Sequence, residues 1–209
     1  MKIIYWGSSA FGIPCLETLK KSCQILAVVT SPDKPKGRHL KITPGPIKIW
    51  AQNNSILVLQ PEKLKGNTEF LNILKSFNPD LFIIISYGKI IPEEYLKIPK
   101  IAPINVHPSL LPKYRGSAPI EWALINGERE TGVSVIFVTR DVDAGNIISQ
   151  KSIIIEDQDD IFTLREKLSN IAVEVLLEGF NKLKDGFRGK QQEGKVSYAP
   201  KLKKTDGKI

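Results

Sequence analysis

The chain has 209 residues with 42% hydrophobic and 25% charged side chains, a composition that excludes an intrinsically disordered chain, a collagen-like repeat and a coiled coil. Apolar stretches such as Leu81–Ile85 are far shorter than the ~20 residues that cross a bilayer, so we expect a cytoplasmic protein without a membrane partner. The formal charge of +8 favours anionic partners, and the two cysteines, Cys15 and Cys23, fit neither a disulfide framework nor a metal site.

Short apolar runs alternate with amphipathic runs through the first half of the chain. The apolar runs predict strands at residues 2–6, 24–29, 57–59 and 81–86. Helical spacing predicts one helix through Ile13, Leu16 and Leu19, and two more at residues 47–52 and 68–77. The unbroken apolar run at 81–86 is typical of a strand covered on both faces.

The second half continues this alternation. It predicts strands at residues 102–107, 132–139 and 147–155, a helix at 118–126, and a long amphipathic helix at 160–184 that starts after an acidic cap. The fold class is therefore α/β, a Rossmann-like open sheet, mostly parallel, with helices on both faces and some antiparallel strands toward the C-terminal half. We expect one folded domain at residues 1–188 and a basic tail or linker at residues 189–209, where glycine and lysine dominate.

The positive charge is concentrated in two segments. Residues 31–48 contain five basic residues and one acidic residue, and residues 182–209 contain nine basic residues and three acidic residues. Prolines and glycines restrict the backbone of the first segment. Such segments contact phosphates without reading bases, and the alternative is a solvated surface that aids solubility.

The carboxyl ends of the strands are where an open α/β sheet binds its ligands. The first strand ends in Gly7-Ser8-Ser9-Ala10-Phe11-Gly12, which matches neither the dinucleotide-binding motif nor a P-loop. Another strand ends with Asn105 and His107, whose side chains share one face because they are two residues apart.

These two side chains suit acyl transfer. The amide of Asn105 can stabilise negative charge on a carbonyl oxygen, His107 can move a proton, and Asp143 in a later turn can orient the ring. The alternative is structural: Asn105 satisfies turn backbone, His107 is a hydrogen-bonded core histidine and Asp143 is a turn residue.

Residues 105–120 read Asn-Val-His-Pro-Ser-Leu-Leu-Pro-Lys-Tyr-Arg-Gly-Ser-Ala-Pro-Ile, and this run resembles the signature loop of the 10-formyltetrahydrofolate-dependent formyltransferases. Residues 6–11, 14–17 and 86–92 resemble other segments of that family. Asp143-Ala144-Gly145 is similar to its Asp-Thr-Gly turn, with Ala144 in place of the hydroxyl residue. The resemblance implies the formyltransferase fold, catalytic roles for Asn105, His107 and Asp143, and 10-formyltetrahydrofolate as formyl donor without a metal.

The resemblance also implies a folate-binding site. Its residues are Tyr87, Gly88, Lys89, Ile90, Ser109, Leu110, Leu111, Pro112, Asp141 and Val142.

The basic segment resembles one branch of the family. Residues 30–48 and 60–64 look like the insertion loop and following segment of the methionyl-tRNA formyltransferases, in which the loop enters the acceptor end of the tRNA. This implies tRNA-binding roles for Lys34, Lys36, Arg38 and Lys41. The implied activity is formylation of the amino group of initiator methionyl-tRNA, during translation initiation, by a cytoplasmic monomer. Residues 196–202 resemble the linker that leads out of the catalytic domain. We expect the family's C-terminal OB-like domain to be absent, either because the sequence is a catalytic-domain fragment or because it belongs to a relative that lacks the second domain.

Two alternatives remain open. The same donor could formylate an amino sugar nucleotide or a ribonucleotide amine. A non-catalytic RNA-binding module built on the two basic segments would bind RNA in a salt-sensitive way that does not depend on His107.

Overall fold

The computed structural model describes residues 1–36 and 41–207. The chain forms two compact units, an N-terminal unit, Met1–Asn105, and a C-terminal unit, Val106–Ile209. Among the described residues, no helix combines the length and the apolar character that a membrane span requires.

Strands and helices alternate along the described residues. The strands are β1 (Lys2–Gly7), β2 (Gln24–Val29), β3 (Lys34–Lys36), β4 (Lys41–Thr43), β5 (Val58–Leu59), β6 (Leu81–Ile85), β7 (Ala102–His107), β8 (Arg115–Gly116), β9 (Glu130–Phe137), β10 (Ile147–Ile154) and β11 (Tyr198–Ala199). The helices are α1 (Ile13–Ser22), α2 (Pro46–Asn53), α3 (Thr68–Ser76), α4 (Glu93–Leu96), α5 (Pro119–Ile125) and α6 (Ile161–Lys184).

The central sheet has seven strands in the order β10-β9-β7-β6-β1-β2-β5. Strand β1 pairs in parallel with β2 and β6, β6 pairs in parallel with β7, and β2 pairs in parallel with β5. Strands β9 and β10 are antiparallel. The predicted α/β class, with antiparallel strands toward the C-terminal half, is confirmed.

An aromatic cluster fills the N-terminal unit on one side of β1. Trp6 is fully buried, and its ring packs against Phe70, Phe82, Tyr87 and Tyr95, with centroid separations of 5.2–6.3 Å. All five residues of β6 are buried, as its unbroken apolar run predicts. Packing of large side chains therefore holds this unit together.

Gly7, which ends β1, and Gly12, which follows it, make room for an aromatic ring. A Cβ atom at Gly12 would lie 1.8 Å from the Tyr5 hydroxyl oxygen, and one at Gly7 would lie 2.7 Å from it. The segment from Gly7 to Gly12 therefore carries glycines because Tyr5 packs beneath it. Packing thus accounts for these glycines, in agreement with a sequence that matches neither the dinucleotide-binding motif nor a P-loop.

Helix α6 covers β9 and β10 in the C-terminal unit. It begins after Asp160, whose carboxylate accepts hydrogen bonds from the backbone N–H groups of Phe162 and Thr163. Gly179 allows close packing on the sheet, because a Cβ atom there would lie 2.9 Å from the Ser149 hydroxyl oxygen.

The segment after α6, which we expected to form a basic tail, packs on the C-terminal unit. Lys190 and Ile147 exchange two backbone hydrogen bonds of 2.8 Å. Strand β11 pairs in parallel with β8, and Ala199 is fully buried. The indole N–H of Trp122 donates to the carbonyl oxygen of Pro200.

Three features were not predicted from the sequence. Strands β3 and β4 pair as an antiparallel ladder within the proline-rich segment, α4 is a single turn, and β8 and β11 are strands of two residues. Prolines obscure the alternation of β3, and the other elements are too short for a periodic pattern.

Candidate active site

The carboxyl end of β7 carries Asn105 and His107 on one face of the strand. His107 is 4% exposed, and Asn105 is partly exposed. The Nε2 atom of His107 lies 2.9 Å from the carbonyl oxygen of Tyr114. Because a carbonyl oxygen only accepts hydrogen bonds, Nε2 carries a proton in this contact. Nδ1 is therefore the ring nitrogen that can gain and lose a proton.

Asp143 faces that second nitrogen. Its Oδ2 atom lies 3.6 Å from His107 Nδ1, which is longer than a hydrogen bond, and the two groups form an ion pair only when the ring is protonated. The same oxygen accepts a hydrogen bond of 2.9 Å from the backbone N–H of Gly116. The Asp143 side chain is 13% exposed. The structure thus brings together Asp143 and His107, which lie 36 positions apart in the chain.

Two glycines allow the backbone to present Asp143 in this way. Gly116 has φ of +124°, and a Cβ atom there would lie 2.6 Å from the carbonyl oxygen of Ala199. A Cβ atom at Gly145 would lie 1.8 Å from the carbonyl oxygen of Phe137. Asp143 itself adopts φ of +51°, a left-handed conformation that aspartate tolerates better than most residues. Side chains at either glycine would displace the turn.

Tyr114, whose carbonyl group accepts the hydrogen bond from His107, is held by contacts of its side chain and of its backbone. Its hydroxyl donates a hydrogen bond of 2.6 Å to Glu128, and its backbone N–H donates to the Ser197 hydroxyl at 2.9 Å. The hydrogen bond from Tyr114 lowers the pKa of Glu128. Burial, followed by this contact, raises the pKa of Tyr114. The acceptor for the His107 Nε2 proton therefore has a defined position.

Gln192 is a site residue that the sequence did not reveal. Its side chain bonds to the backbone around Asp143 and to Arg115. A glutamine in a polar, lysine-rich segment carries no local signal of such contacts, and the partners lie 47–77 positions away.

The expected folate-binding residues of the N-terminal unit have contrasting environments. Tyr87 is 3% exposed, burial raises its pKa to about 12, and its hydroxyl has no hydrogen-bond partner within residues 1–36 and 41–207. Gly88 follows with φ of +76°. The Lys89 ammonium group donates to the carbonyl oxygens of residues 61 and 62. Ile90 is 84% exposed and offers an apolar surface.

The expected folate-binding residues of the C-terminal unit divide into buried and exposed groups. Ser109, Leu111 and Pro112 are buried, and Leu110 is partly exposed. The Ser109 hydroxyl donates to the carbonyl oxygen of Lys113 at 2.7 Å. Asp141 and Val142 are exposed, and Val142 is 59% exposed. Ile90 and Val142 are thus the exposed aliphatic residues among those expected to bind folate.

Three of the expected tRNA-binding residues lie in the β3–β4 ladder. Lys34 is exposed in β3, and Lys36 and Lys41 pair across the ladder. Arg38 lies outside the described residues. At the base of the ladder, Asp33 accepts hydrogen bonds from Lys48 and Gln60, and the contact with Lys48 makes the largest contribution to the lowered pKa of Asp33.

In the part of the chain that the structure describes, no group of three or more histidine, cysteine, aspartate or glutamate residues is arranged to hold a metal ion.

Comparison with known proteins identifies the class. Residues 1–179 match the family model described as formyl transferase. The chain therefore belongs to the formyl transferase family.

Curated relatives point to one branch of this family. The methionyl-tRNA formyltransferase of Caldanaerobacter subterraneus subsp. tengcongensis is 46% identical over 212 residues, which cover all of this chain and 69% of the relative. The methionyl-tRNA formyltransferase of Dictyoglomus thermophilum is 50% identical over 208 residues, which cover 99% of this chain and 67% of the relative.

Solved structures share the fold. Phosphoribosylglycinamide formyltransferase from Bacillus halodurans superposes with a TM-score of 0.74 and 21% identity, covering 88% of this chain and 95% of that one. HypX from Aquifex aeolicus in complex with tetrahydrofolic acid has a TM-score of 0.69 and 19% identity, covering 97% of this chain and 30% of that one.

Proposed function

We propose that the chain transfers a formyl group from 10-formyltetrahydrofolate to the amino group of initiator methionyl-tRNA. The observation that carries the proposal is the arrangement at the end of β7, where His107 follows Asn105 on one face and has Asp143 3.6 Å from Nδ1. The methionyl-tRNA formyltransferases that cover the whole chain favour this acceptor over an amino sugar nucleotide or a ribonucleotide amine.

The donor supplies the formyl carbon bound to its N10 atom. The side-chain N–H of Asn105 donates to the formyl oxygen as negative charge develops there, a contribution of about 3–4 kcal/mol where a single such donor has been removed. His107 accepts at Nδ1 the proton that the acceptor amine loses as its nitrogen bonds to the formyl carbon. It passes this proton to N10 as the bond between N10 and the formyl carbon breaks, while Nε2 stays bound to the Tyr114 carbonyl group. The Asp143 carboxylate stabilises the ring while Nδ1 is protonated.

The binding assignments belong to the same proposal. The residues that the resemblance assigns to folate keep that role in the proposal, and in each unit they include an exposed aliphatic residue, Ile90 or Val142. The basic residues expected in the insertion loop contact tRNA phosphates; they are Lys34, Lys36, Arg38 and Lys41. The chain acts as a monomer in cytoplasmic translation initiation. Gel filtration checks the monomer, and a salt titration of tRNA binding checks the phosphate contacts.

A labelling experiment tests the activity. The purified chain is mixed with formyl-labelled 10-formyltetrahydrofolate and, in separate reactions, with initiator methionyl-tRNA, an amino sugar nucleotide or glycinamide ribonucleotide. We expect label on the methionyl-tRNA. Label only on a sugar nucleotide or on the ribonucleotide would contradict the proposed acceptor.

The Asn105→Ala variant serves as the catalytic control. It is expected to bind tRNA like the unmodified chain and to lose ~10²–10³-fold in kcat, because one charge-stabilising donor is removed. Salt-sensitive RNA binding without any formyl transfer, in the variant and the unmodified chain alike, would support the RNA-binding module instead.

A further inference from the structure

The side-chain amide of Gln192 contacts both sides of the turn that carries Asp143. Its Nε2 atom donates hydrogen bonds of 2.8 Å to the carbonyl oxygens of Asp143 and Gly145. Its Oε1 atom accepts from Nε and Nη2 of Arg115 at 3.1 and 2.6 Å. Gln192 therefore connects the segment after α6 to the turn at Asp143 and to Arg115 of β8.

These partners fix the orientation of the amide. A guanidinium group only donates hydrogen bonds and a carbonyl oxygen only accepts them, so the amide oxygen must face Arg115 and the nitrogen must face the turn. Both N–H groups of the amide are used, and its oxygen accepts twice. A flipped amide would place like groups against one another at all of these contacts.

Strand β8 holds Asp143 at two points. The backbone N–H of Gly116 binds the Asp143 carboxylate directly, at 2.9 Å. The adjacent Arg115 binds the Asp143 carbonyl group through Gln192. Gly116 thus binds the side chain of Asp143, and Arg115 contacts the backbone of Asp143 through Gln192. This second contact depends on the side-chain amide of Gln192.

We propose that Gln192 is a positioning residue for formyl transfer, and that its amide holds the turn from Asp143 to Gly145 so that the Asp143 carboxylate stays against Nδ1 of His107. The kinetic part of this inference depends on the function proposed above. The structural part concerns the position of Asp143 alone.

Three variants test the role. Gln192→Ala removes both sets of contacts. Gln192→Glu keeps an acceptor for Arg115 but places a carboxylate oxygen against the carbonyl groups of the turn. It therefore tests the contact with the turn while the contact with Arg115 is kept. Gln191→Ala is the matched control, because Gln191 is the same residue type one position earlier and is exposed.

Kinetics with 10-formyltetrahydrofolate and methionyl-tRNA give the first readout. We expect both Gln192 variants to lower kcat by on the order of 10- to 100-fold, since a displacement of about 1 Å at a catalytic group has effects of this size. KM for both substrates and the Tm should stay near those of the Gln191→Ala chain. A Gln192→Glu variant with the kcat of the unmodified chain would show that the contact with Arg115 suffices and would overturn the proposal.

The amide resonance of Gly116 gives a second readout that needs no substrate. Its N–H donates to the Asp143 carboxylate, and a charge-assisted hydrogen bond moves an amide proton downfield. We expect the Gly116 signal of Gln192→Ala and Gln192→Glu to move upfield, toward its position in Asp143→Ala. An unchanged signal in both variants would overturn the proposal.

The two readouts keep this inference separate from the proposed function. If the unmodified chain transfers no formyl group to methionyl-tRNA, the proposed function fails, and the Gly116 signal still decides whether Gln192 positions Asp143. If the unmodified chain is active and a folded Gln192→Ala chain retains its kcat, the positioning role fails while the proposed function stands.

Discussion

The strand end at Tyr87 and the turn at Asp143 are held by different kinds of contact. Tyr87 is buried in an aromatic cluster, and its hydroxyl has no hydrogen-bond partner among the described residues. Asp143 is held by hydrogen bonds from Gly116 and Gln192. Aromatic packing spreads its energy over many atoms, whereas the turn depends on a few directional bonds. Substitutions in the cluster should therefore affect stability, and substitutions around the turn should affect catalysis.

The largest expected effect is at Asp143. Asp143→Asn keeps an oxygen that can accept from Gly116 but removes the charge that faces His107. We expect kcat to fall by about 10²- to 10⁴-fold, the range of general acid–base contributions, with little change in Tm. Steady-state kinetics with methionyl-tRNA measure this, with exposed Asp157→Asn as control. A near-normal kcat in Asp143→Asn would mean that the charge of this turn has no catalytic part.

The next effect concerns the aromatic cluster. Phe82 is fully buried in β6, so Phe82→Ala should lower the free energy of unfolding by about 3–5 kcal/mol. Phe162→Ala is the matched control, because Phe162 is 73% exposed, and it should change that free energy by less than about 0.5 kcal/mol. Urea unfolding measures both. Equal losses in the two variants would refute the packing account of the N-terminal unit.

The smallest effect concerns the buried hydroxyl of Tyr5 in β1. Tyr5 is fully buried, and its hydroxyl has no hydrogen-bond partner in residues 1–36 and 41–207. Tyr5→Phe should raise the free energy of unfolding by about 1 kcal/mol, because an unsatisfied buried group is removed. Tyr198→Phe, at a site 71% exposed, is the control and should change nothing. A loss of stability in Tyr5→Phe would show that this hydroxyl makes a favourable contact.

The Tyr5 hydroxyl also makes the free energy of unfolding depend on pH, and Tyr5→Phe removes that contribution. Burial raises the pKa of Tyr5 well above its usual value of 10.0. Above pH 10 the unfolded chain releases this proton while the folded chain retains it, so the Tyr5 contribution to stability declines as the pH rises. Unfolding curves at alkaline pH should therefore show a shallower decline in Tyr5→Phe than in the unmodified chain.

Long periodic elements could be predicted from the sequence. The run at 81–86 and the capped helix at 160–184 agree with β6 and α6 to within one residue at each end. An apolar period and a capping carboxylate are local signals, so no tertiary information was needed. By contrast, β8 and β11 exist because distant backbone groups meet, and two residues cannot display a period.

In the candidate site, too, some residues could be predicted from local sequence and others could not. Asn105 and His107 follow from a strand end and a spacing of two residues, and both are local observations. The contact between Asp143 and His107 was an expectation from the resemblance and from the turn after β9, and the structure supplies its distance of 3.6 Å. The contacts of Gln192 join positions far apart in the chain, and the contact of His107 with the Tyr114 carbonyl group depends on the path of the loop between them, so no periodic pattern in the sequence identified either.

The contacts after α6 bear on where a shortened version of this protein can be cut. The match to the family model ends at residue 179, inside the helix that runs to Lys184. A truncation there, or after residue 188, would remove Gln192 and the strand that pairs with Arg115 and Gly116. A chain that keeps the contacts of the Asp143 turn and of Trp122 therefore extends at least to Pro200, whose carbonyl oxygen accepts a hydrogen bond from the Trp122 indole.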